Sequence, residues 1–219
     1  MKKFFLTLFT CFSIFIGCAN APLNSSYKDN TSTYPFASVL YLEYLTPQFF
    51  EASASGFVIR TDDETSIGVT ADHVCDSVGF PLIKVYSFDG RGSIGEILER
   101  TNDPVVDVCL IKFKTIPGIE PVKFATLKPL PGSKITSLGV PMGMFEPNIV
   151  FISEGLFLGE NKDGSYHYSL EIQPGMSGSV VLNENYEVIG LISGFMKAWN
   201  KMSFGPSFTS IQSLIKELD

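Results

Sequence analysis

Residues 173–182 read Gln173-Pro174-Gly175-Met176-Ser177-Gly178-Ser179-Val180-Val181-Leu182, a serine between glycines leading into an apolar run. Glycine takes backbone angles closed to other residues and lets a ligand approach the chain closely. A serine on such a turn can have backbone N–H groups converging beside its hydroxyl, where they stabilise a developing oxyanion. Taken alone the stretch is a tight turn. It becomes a nucleophile's turn only if a base and an orienting carboxylate stand elsewhere in the chain.

The chain has only two histidines. His73 lies in Val69-Thr70-Ala71-Asp72-His73-Val74-Cys75, just after an apolar run. His167 alternates out of phase with Tyr166, Tyr168 and Leu170, which makes it a rim residue rather than a base. The acidic partner is suggested by Asp107-Val108-Cys109-Leu110-Ile111-Lys112, where a carboxylate opens an apolar strand and needs a partner to offset desolvation. An imidazole N–H supplies one. Asp103, before Pro104, fits a turn, and Asp72 neighbours His73 in sequence without needing to face its ring.

Around these blocks the 219 residues are 45 % apolar and 18 % charged, enough for a buried core and incompatible with wholesale disorder. Short β-branched and aromatic runs recur, among them 38–45, 56–60, 66–70, 83–88, 94–99, 105–113, 134–138, 149–153, 166–172, 179–182 and 188–193. Turn signals such as Asp89-Gly90, Asp163-Gly164 and Asn183-Glu184-Asn185 punctuate them, the pattern of antiparallel barrels or sandwiches. Residues 115–131 hold four prolines and suit a crossing between two halves. One helix is expected, at the C-terminus: Thr209-Ser210-Ile211-Gln212 has capping-box form, and Ile211, Leu214, Ile215 and Leu218 follow at helical spacing.

Val69–Cys75 resembles the "TAAHC" block of trypsin-like serine peptidases, Asp107–Lys112 their "DIALLK", and Pro174–Ser179 their "GDSGGP", in the style of the "PGNSGGP" of HtrA-type members. Ser55-Gly56-Phe57-Val58-Ile59 is similar to the HtrA-type "GSGFVI". The order His73, Asp107, Ser177 is that of this clan and differs from subtilisin and α/β-hydrolase orders. The resemblance spans about residues 55–195. It implies an all-β chain of two six-stranded antiparallel β-barrels with a C-terminal helix and an active site in the cleft between the barrels. It also implies a serine endopeptidase with Ser177 as nucleophile, His73 as general base and then acid, and Asp107 fixing the imidazole. The N–H groups of Gly175 and Ser177 would form the oxyanion hole, and Ser193 would hydrogen-bond Asp107. Glu171, Ile172, Gln173, Pro174, Gly194 and Phe195 would border the substrate, with Phe195 narrowing the pocket toward small or medium apolar side chains.

Three departures qualify the pattern. Met176 cannot make the ion pair that Asp makes in trypsin, so activation by that route is not expected. Ser179 and Val180 replace a glycine and a proline after the nucleophile, and too few residues follow Phe195 for a PDZ module. A rival reading therefore stands beside the endopeptidase: a catalytically inactive, lipid-anchored peptide-binding module on the same fold. An esterase using the same triad is a weaker third.

The chain opens with Lys2-Lys3 and an apolar stretch from Phe4 to Gly17, a signal-peptide pattern too short to span a membrane. Ala19-Asn20-Ala21 fits ordinary cleavage, whereas Phe15-Ile16-Gly17-Cys18 resembles a bacterial lipobox in which Cys18 is lipidated. The lipoprotein is the favoured alternative, and a retained anchor is a minor third reading. Residues 1–21 are thus a leader, 22–33 a tether, 34–118 and 119–207 the two barrels and 208–219 the helix. Export to a bacterial periplasm or cell envelope, membrane-anchored or freely secreted, follows from this reading. Within the folded part only Cys75 and Cys109 remain; one bridge in an oxidising compartment is open to them, and free buried thiols are the favoured expectation. A net charge of −7 with no basic run beyond the leader argues against nucleic acid as a partner; a polypeptide substrate is what the resemblance implies. No metal-ligand spacing or phosphate loop stands out, so no cofactor or metal is expected.

Overall fold

Alternation of apolar and polar residues, period two, builds this protein from strands that each present one face to a core. The computed structural model describes residues 35–48, 50–79, 82–196 and 202–218. The stretches read above as leader and tether, residues 1–21 and 22–33, Cys18 included, lie outside those residues. Six antiparallel strands form the first half: β1 (Val39–Leu45), β2 (Glu51–Thr61), β3 (Thr65–Thr70), β4 (Ile83–Ser87), β5 (Gly92–Arg100) and β6 (Cys109–Lys114). They close into a barrel in the order β1-β2-β3-β6-β5-β4, with β4 returning to pair with β1. The short helix α1 (Asp72–Asp76) follows β3.

The second half is one sheet of β7 (Lys123–Phe124), β8 (Lys134–Gly139), β9 (Phe151–Glu160), β10 (Tyr166–Tyr168), β11 (Val180–Leu182), β12 (Glu187–Leu191), β13 (Gly194–Phe195) and β14 (Ser203–Gly205). Its order is β13-β14-β10-β9-β8-β11-β12-β7. Six strands make the body, and the two-residue strands β7 and β13 flank it at the ends. β7 pairs parallel with β12, so the proline-rich crossing contributes a short strand of its own. Ile116, Ile119 and Val122 of that crossing are buried in the first core.

Strand alternation also joins the halves. Val180 and Leu182 of β11 and Val188 and Leu191 of β12 face the core shared with the first barrel, while Val181 and Ile189 face the core of the second sheet. The C-terminal helix α2 (Phe208–Lys216) adds Ile211 and Leu214 to the shared core. Its cap differs from expectation: Ser207 is the N-cap and accepts the Ser210 N–H, placing Thr209 inside the first turn. Ser207 precedes a phenylalanine that is itself buried, so anchoring Phe208 sets where the helix begins.

Candidate active site

His73 belongs to α1, where the first N–H groups have no partner within the helix. One such group is put to use: the His73 amide donates to Asp107 Oδ1 at 2.8 Å. Asp107 itself is not on a strand. The sequence suggested a strand through 105–113, but β6 begins at Cys109 and residues 101–108 form a loop. Asp103 Oδ1 accepts the Val105 N–H at 2.8 Å and Asp103 O accepts the Asp107 N–H at 2.7 Å, a local turn that interrupts the ladder. The consequence is a left-handed Asp107, φ +43°, a conformation that aspartate adopts more readily than most residues.

Ser177 is carried by two successive turns. In the first, Gln173-Pro174-Gly175-Met176, the Met176 N–H donates to Gln173 O at 3.1 Å, with proline second and a positive-φ glycine third. Those are the residue preferences of a type II turn. In the second, Met176-Ser177-Gly178-Ser179, the Ser179 N–H donates to Met176 O at 3.0 Å, and Gly178 has φ +85°. A Cβ on Gly178 would collide with Ser55 O and Thr70 Oγ1, so only glycine fits there. Ser179, the departure from the family pattern, is fully buried and fills the space that Gly139 leaves by lacking a side chain.

These elements meet in a continuous chain. Asp107 Oδ2 lies 2.9 Å from His73 Nδ1, and His73 Nε2 lies 2.9 Å from Ser177 Oγ. The carboxylate is buried and the imidazole half-exposed. Burial pushes the Asp107 carboxyl up, but the His73 ring, the nearby Ser193 hydroxyl and the His73 amide together hold it below the usual value. The hydrogen bond to Asp107 raises the His73 pKa, with burial opposing it and the charges of Asp107 and Asp72 adding to it. Asp72 turns from the ring toward Arg100, whose Nε lies 2.7 Å from Asp72 Oδ1.

The amides of Gly175 and Ser177 donate to no carbonyl among the described residues. In a trans peptide the C=O and N–H point to opposite edges. Pro174 O accepts the Met142 N–H at 2.9 Å and Met176 O accepts the Ser179 N–H, so the Gly175 and Ser177 N–H groups both turn away from these contacts. Two free donors beside a hydroxyl can hold an oxyanion.

The remaining residues singled out in the sequence are placed as follows. Ser193 Oγ is buried and makes no hydrogen bond of normal geometry, though it is near enough to Asp107 to affect it. Glu171, Gln173 and Pro174 are exposed, whereas Ile172 puts its side chain in the second core and leaves only backbone for the surface. Gly194 and Phe195 form β13, paired on one edge with β14, and Phe195 is 40 % exposed. His167 is partly buried, with its ring 6.2 Å from that of Phe204. Phe204 had no signal in the sequence, yet its ring packs directly against Gly194.

One expectation is overturned. Cys75 and Cys109 form a disulfide, their Cα atoms 6.5 Å apart. Each stands two residues beyond one member of the His73–Asp107 pair, and the contact that brings those side chains together brings the sulfurs into range. Among the described residues no group of three or more His, Cys, Asp or Glu side chains could hold a metal.

The trypsin-like peptidase domain model matches residues 54–191. Among solved structures, the chain is similar to the active form of the Rv3671c protease from M. tuberculosis, with 21 % identity, a TM-score of 0.69, and coverage of 83 % of this chain and 80 % of that one. The inactive form of Rv3671c also matches, at 19 % identity and TM-score 0.65, covering 83 % of this chain and 88 % of that one. A serine endoprotease from Yersinia pestis matches at 16 % identity and TM-score 0.70, covering 84 % of this chain and 63 % of that one. Active and inactive forms fit alike, so the likeness speaks to fold. No curated protein matches the chain.

Proposed function

Because the chain belongs to the trypsin-like peptidase domain family, we propose that it is an exported serine endopeptidase working through His73, Asp107 and Ser177. The observation that carries the reading is the unbroken hydrogen-bond chain from the buried Asp107 through His73 to Ser177, beside two unused amides. Neutral His73 accepts the Ser177 Oγ proton as the oxygen attacks the scissile carbonyl carbon. The carbonyl oxygen becomes an oxyanion held by the Gly175 and Ser177 N–H groups, and one such donor is typically worth about 3 kcal/mol of barrier. His73 then protonates the departing amine, leaving an acyl-Ser177. Water, deprotonated by His73, releases the acid and restores the serine. Asp107 keeps the ring in the tautomer with its proton on Nδ1 and stabilises the imidazolium between steps.

The test is labelling with a fluorophosphonate, in which Ser177 Oγ displaces fluoride. One adduct per chain on Ser177, absent from Ser177→Ala and His73→Ala, is expected. A folded chain that stays unlabelled would favour the inactive peptide-binding module, and hydrolysis of esters without peptides would favour the esterase. For specificity, Phe204 against Gly194 and the partly exposed Phe195 support a preference for small or medium apolar side chains at the cleaved position. Efficient cleavage after Arg or Lys in a peptide library would refute it.

Export and lipid attachment at Cys18 belong to the same proposal. Support comes from the leader's sequence and from the Cys75–Cys109 disulfide, a bond that persists in oxidising compartments. Cys18→Ala is expected to abolish palmitate incorporation; unchanged incorporation would remove the lipid from the account.

A further inference from the structure

The turn bearing Ser177 belongs to the second sheet, but the hydroxyl that grips it comes from the first barrel. Ser55, on β2, is fully buried. Its N–H donates to Ser177 O at 2.9 Å. Its Oγ accepts the Val140 N–H at 2.9 Å, which leaves the hydroxyl proton to be donated. Two acceptors are in range, Gly175 O at 3.0 Å and Val140 O at 3.4 Å, and the shorter contact is the better bond.

Three peptide groups decide where the free amides point. The outer two are fixed by Met142 N–H on Pro174 O and Ser179 N–H on Met176 O. Between them lies the Gly175–Met176 peptide, whose N–H is held by Gln173 O and whose C=O is held by Ser55 Oγ. Gly175, with φ +91° and no side chain, offers little torsional resistance of its own, so the direction of its N–H depends on these outside contacts. A Cβ there would run into the Met142 backbone, so the position cannot be stiffened by substitution.

We propose that Ser55 is a positioning residue: its hydroxyl, supplied by the first barrel, holds the Gly175–Met176 peptide so that the Gly175 and Ser177 amides stay aimed at the oxyanion. The proposal rests on the peptidase reading above. Ser55 touches neither the substrate nor the reacting atoms; it acts through Gly175.

The experiment compares wild type, Ser55→Ala and Ser55→Cys, the last retaining a side chain of similar size with a much weaker donor. Each rate is normalised to the fraction of chains that fluorophosphonate labels at completion, so that a loss of folded protein is not counted as a loss of catalysis. For Ser55→Ala, kcat and kcat/KM are expected to fall together by about tenfold, with KM within twofold, the pattern of an interaction felt in the transition state. Ser55→Cys is expected to fall between Ser55→Ala and wild type. A peptide boronate, which forms a tetrahedral adduct on Ser177, is expected to lose affinity by the same factor. Substrate affinity measured in a Ser177→Ala background should not change on adding Ser55→Ala, and the pH at which kcat/KM is half-maximal should stay that of wild type. Normalised rates equal to wild type, or a loss confined to KM, would overturn the inference while leaving the peptidase intact. A wild-type chain that takes no label would overturn the peptidase reading and this inference with it.

Discussion

The two halves hold their parts of the site by different means. In the first barrel, His73 and Asp107 sit on a frame locked by a covalent bridge, Cys75–Cys109, and by the partly buried Asp72–Arg100 ion pair. In the second sheet, Ser177 sits on two glycine turns that hold no disulfide or ion pair of their own; hydrogen bonds within each turn and to Ile192 shape them, and Ser55 and Met142 fix them from outside. Met142 belongs in turn to a loop, residues 141–150, that is pinned to the first barrel where Phe145 stacks on Tyr41 at 4.4 Å. The first barrel therefore contributes to both halves of the site. It holds its own residues rigidly and its partner's turn through hydrogen bonds.

The sharpest break in this comparison is at Asp107. Asp107→Asn should cut kcat/KM by about 10⁴-fold with the circular dichroism spectrum unchanged, because the amide stabilises the wrong imidazole tautomer. Retention of more than a tenth of the rate would mean that the buried carboxylate does not orient the ring. Next comes the bridge. Replacing Cys75 and Cys109 together by serine should cost about 3 kcal/mol in urea unfolding, since a long loop of the unfolded chain is released. The surviving folded enzyme should keep its Ser177 turn, so labelling at low temperature should slow by only a few-fold. A collapse of labelling in protein that remains folded would show that the second sheet also depends on the covalent frame.

A smaller effect is expected from Arg100→Ala, which leaves the buried Asp72 carboxylate without its partly exposed partner and should cost about 2 kcal/mol by thermal or urea unfolding. An unchanged midpoint would mean that Asp72 finds water instead. The mildest test is the pH profile. In the proposed mechanism the base must be neutral, and the hydrogen bond to Asp107 raises the His73 pKa, so kcat/KM should rise with pH through a midpoint above that of an ordinary histidine. Asp107→Asn should move that midpoint down, and Arg100→Ala should move it up by unmasking the Asp72 charge. A rate independent of pH between 5 and 8 would exclude His73 as the base. Stability follows the signs of the two shifts. The raised His73 contributes most below its unfolded pKa and loses that contribution as pH rises through the folded value, whereas the lowered Asp107 contributes above its unfolded pKa and loses it as pH falls.

Much of this architecture is written in short local patterns. Period-two runs mark most strands, proline and glycine mark the turn before Ser177, and a carboxylate at the head of an apolar run marks Asp107 as a residue in need of a partner. Other features leave no local trace. Residues 105–107 look like strand because valines dominate them, and Asp103 makes them a loop, its side chain folding back on the Val105 N–H and its carbonyl taking the Asp107 N–H. Ser179 looks like a flaw beside Ser177 until Gly139, forty residues earlier, is seen to vacate the space it occupies. Ser55 is an ordinary serine in a strand until the two halves meet over it.

Residue chemistry, order along the chain and the family resemblance they carry were enough to choose a fold class and to nominate His73, Asp107 and Ser177, because a nucleophile, a base and an orienting carboxylate each need a particular functional group in a recognisable setting. Contacts between distant segments could not be chosen that way. The Cys75–Cys109 bond, the turning of Asp72 toward Arg100, the burial of Ile172, the packing of Phe204 on Gly194 and the grip of Ser55 on Gly175 all depend on ångström-scale distances between segments far apart in sequence. Such distances are set when barrel closure and the shared apolar core bring the strands into register, and no residue carries them by itself.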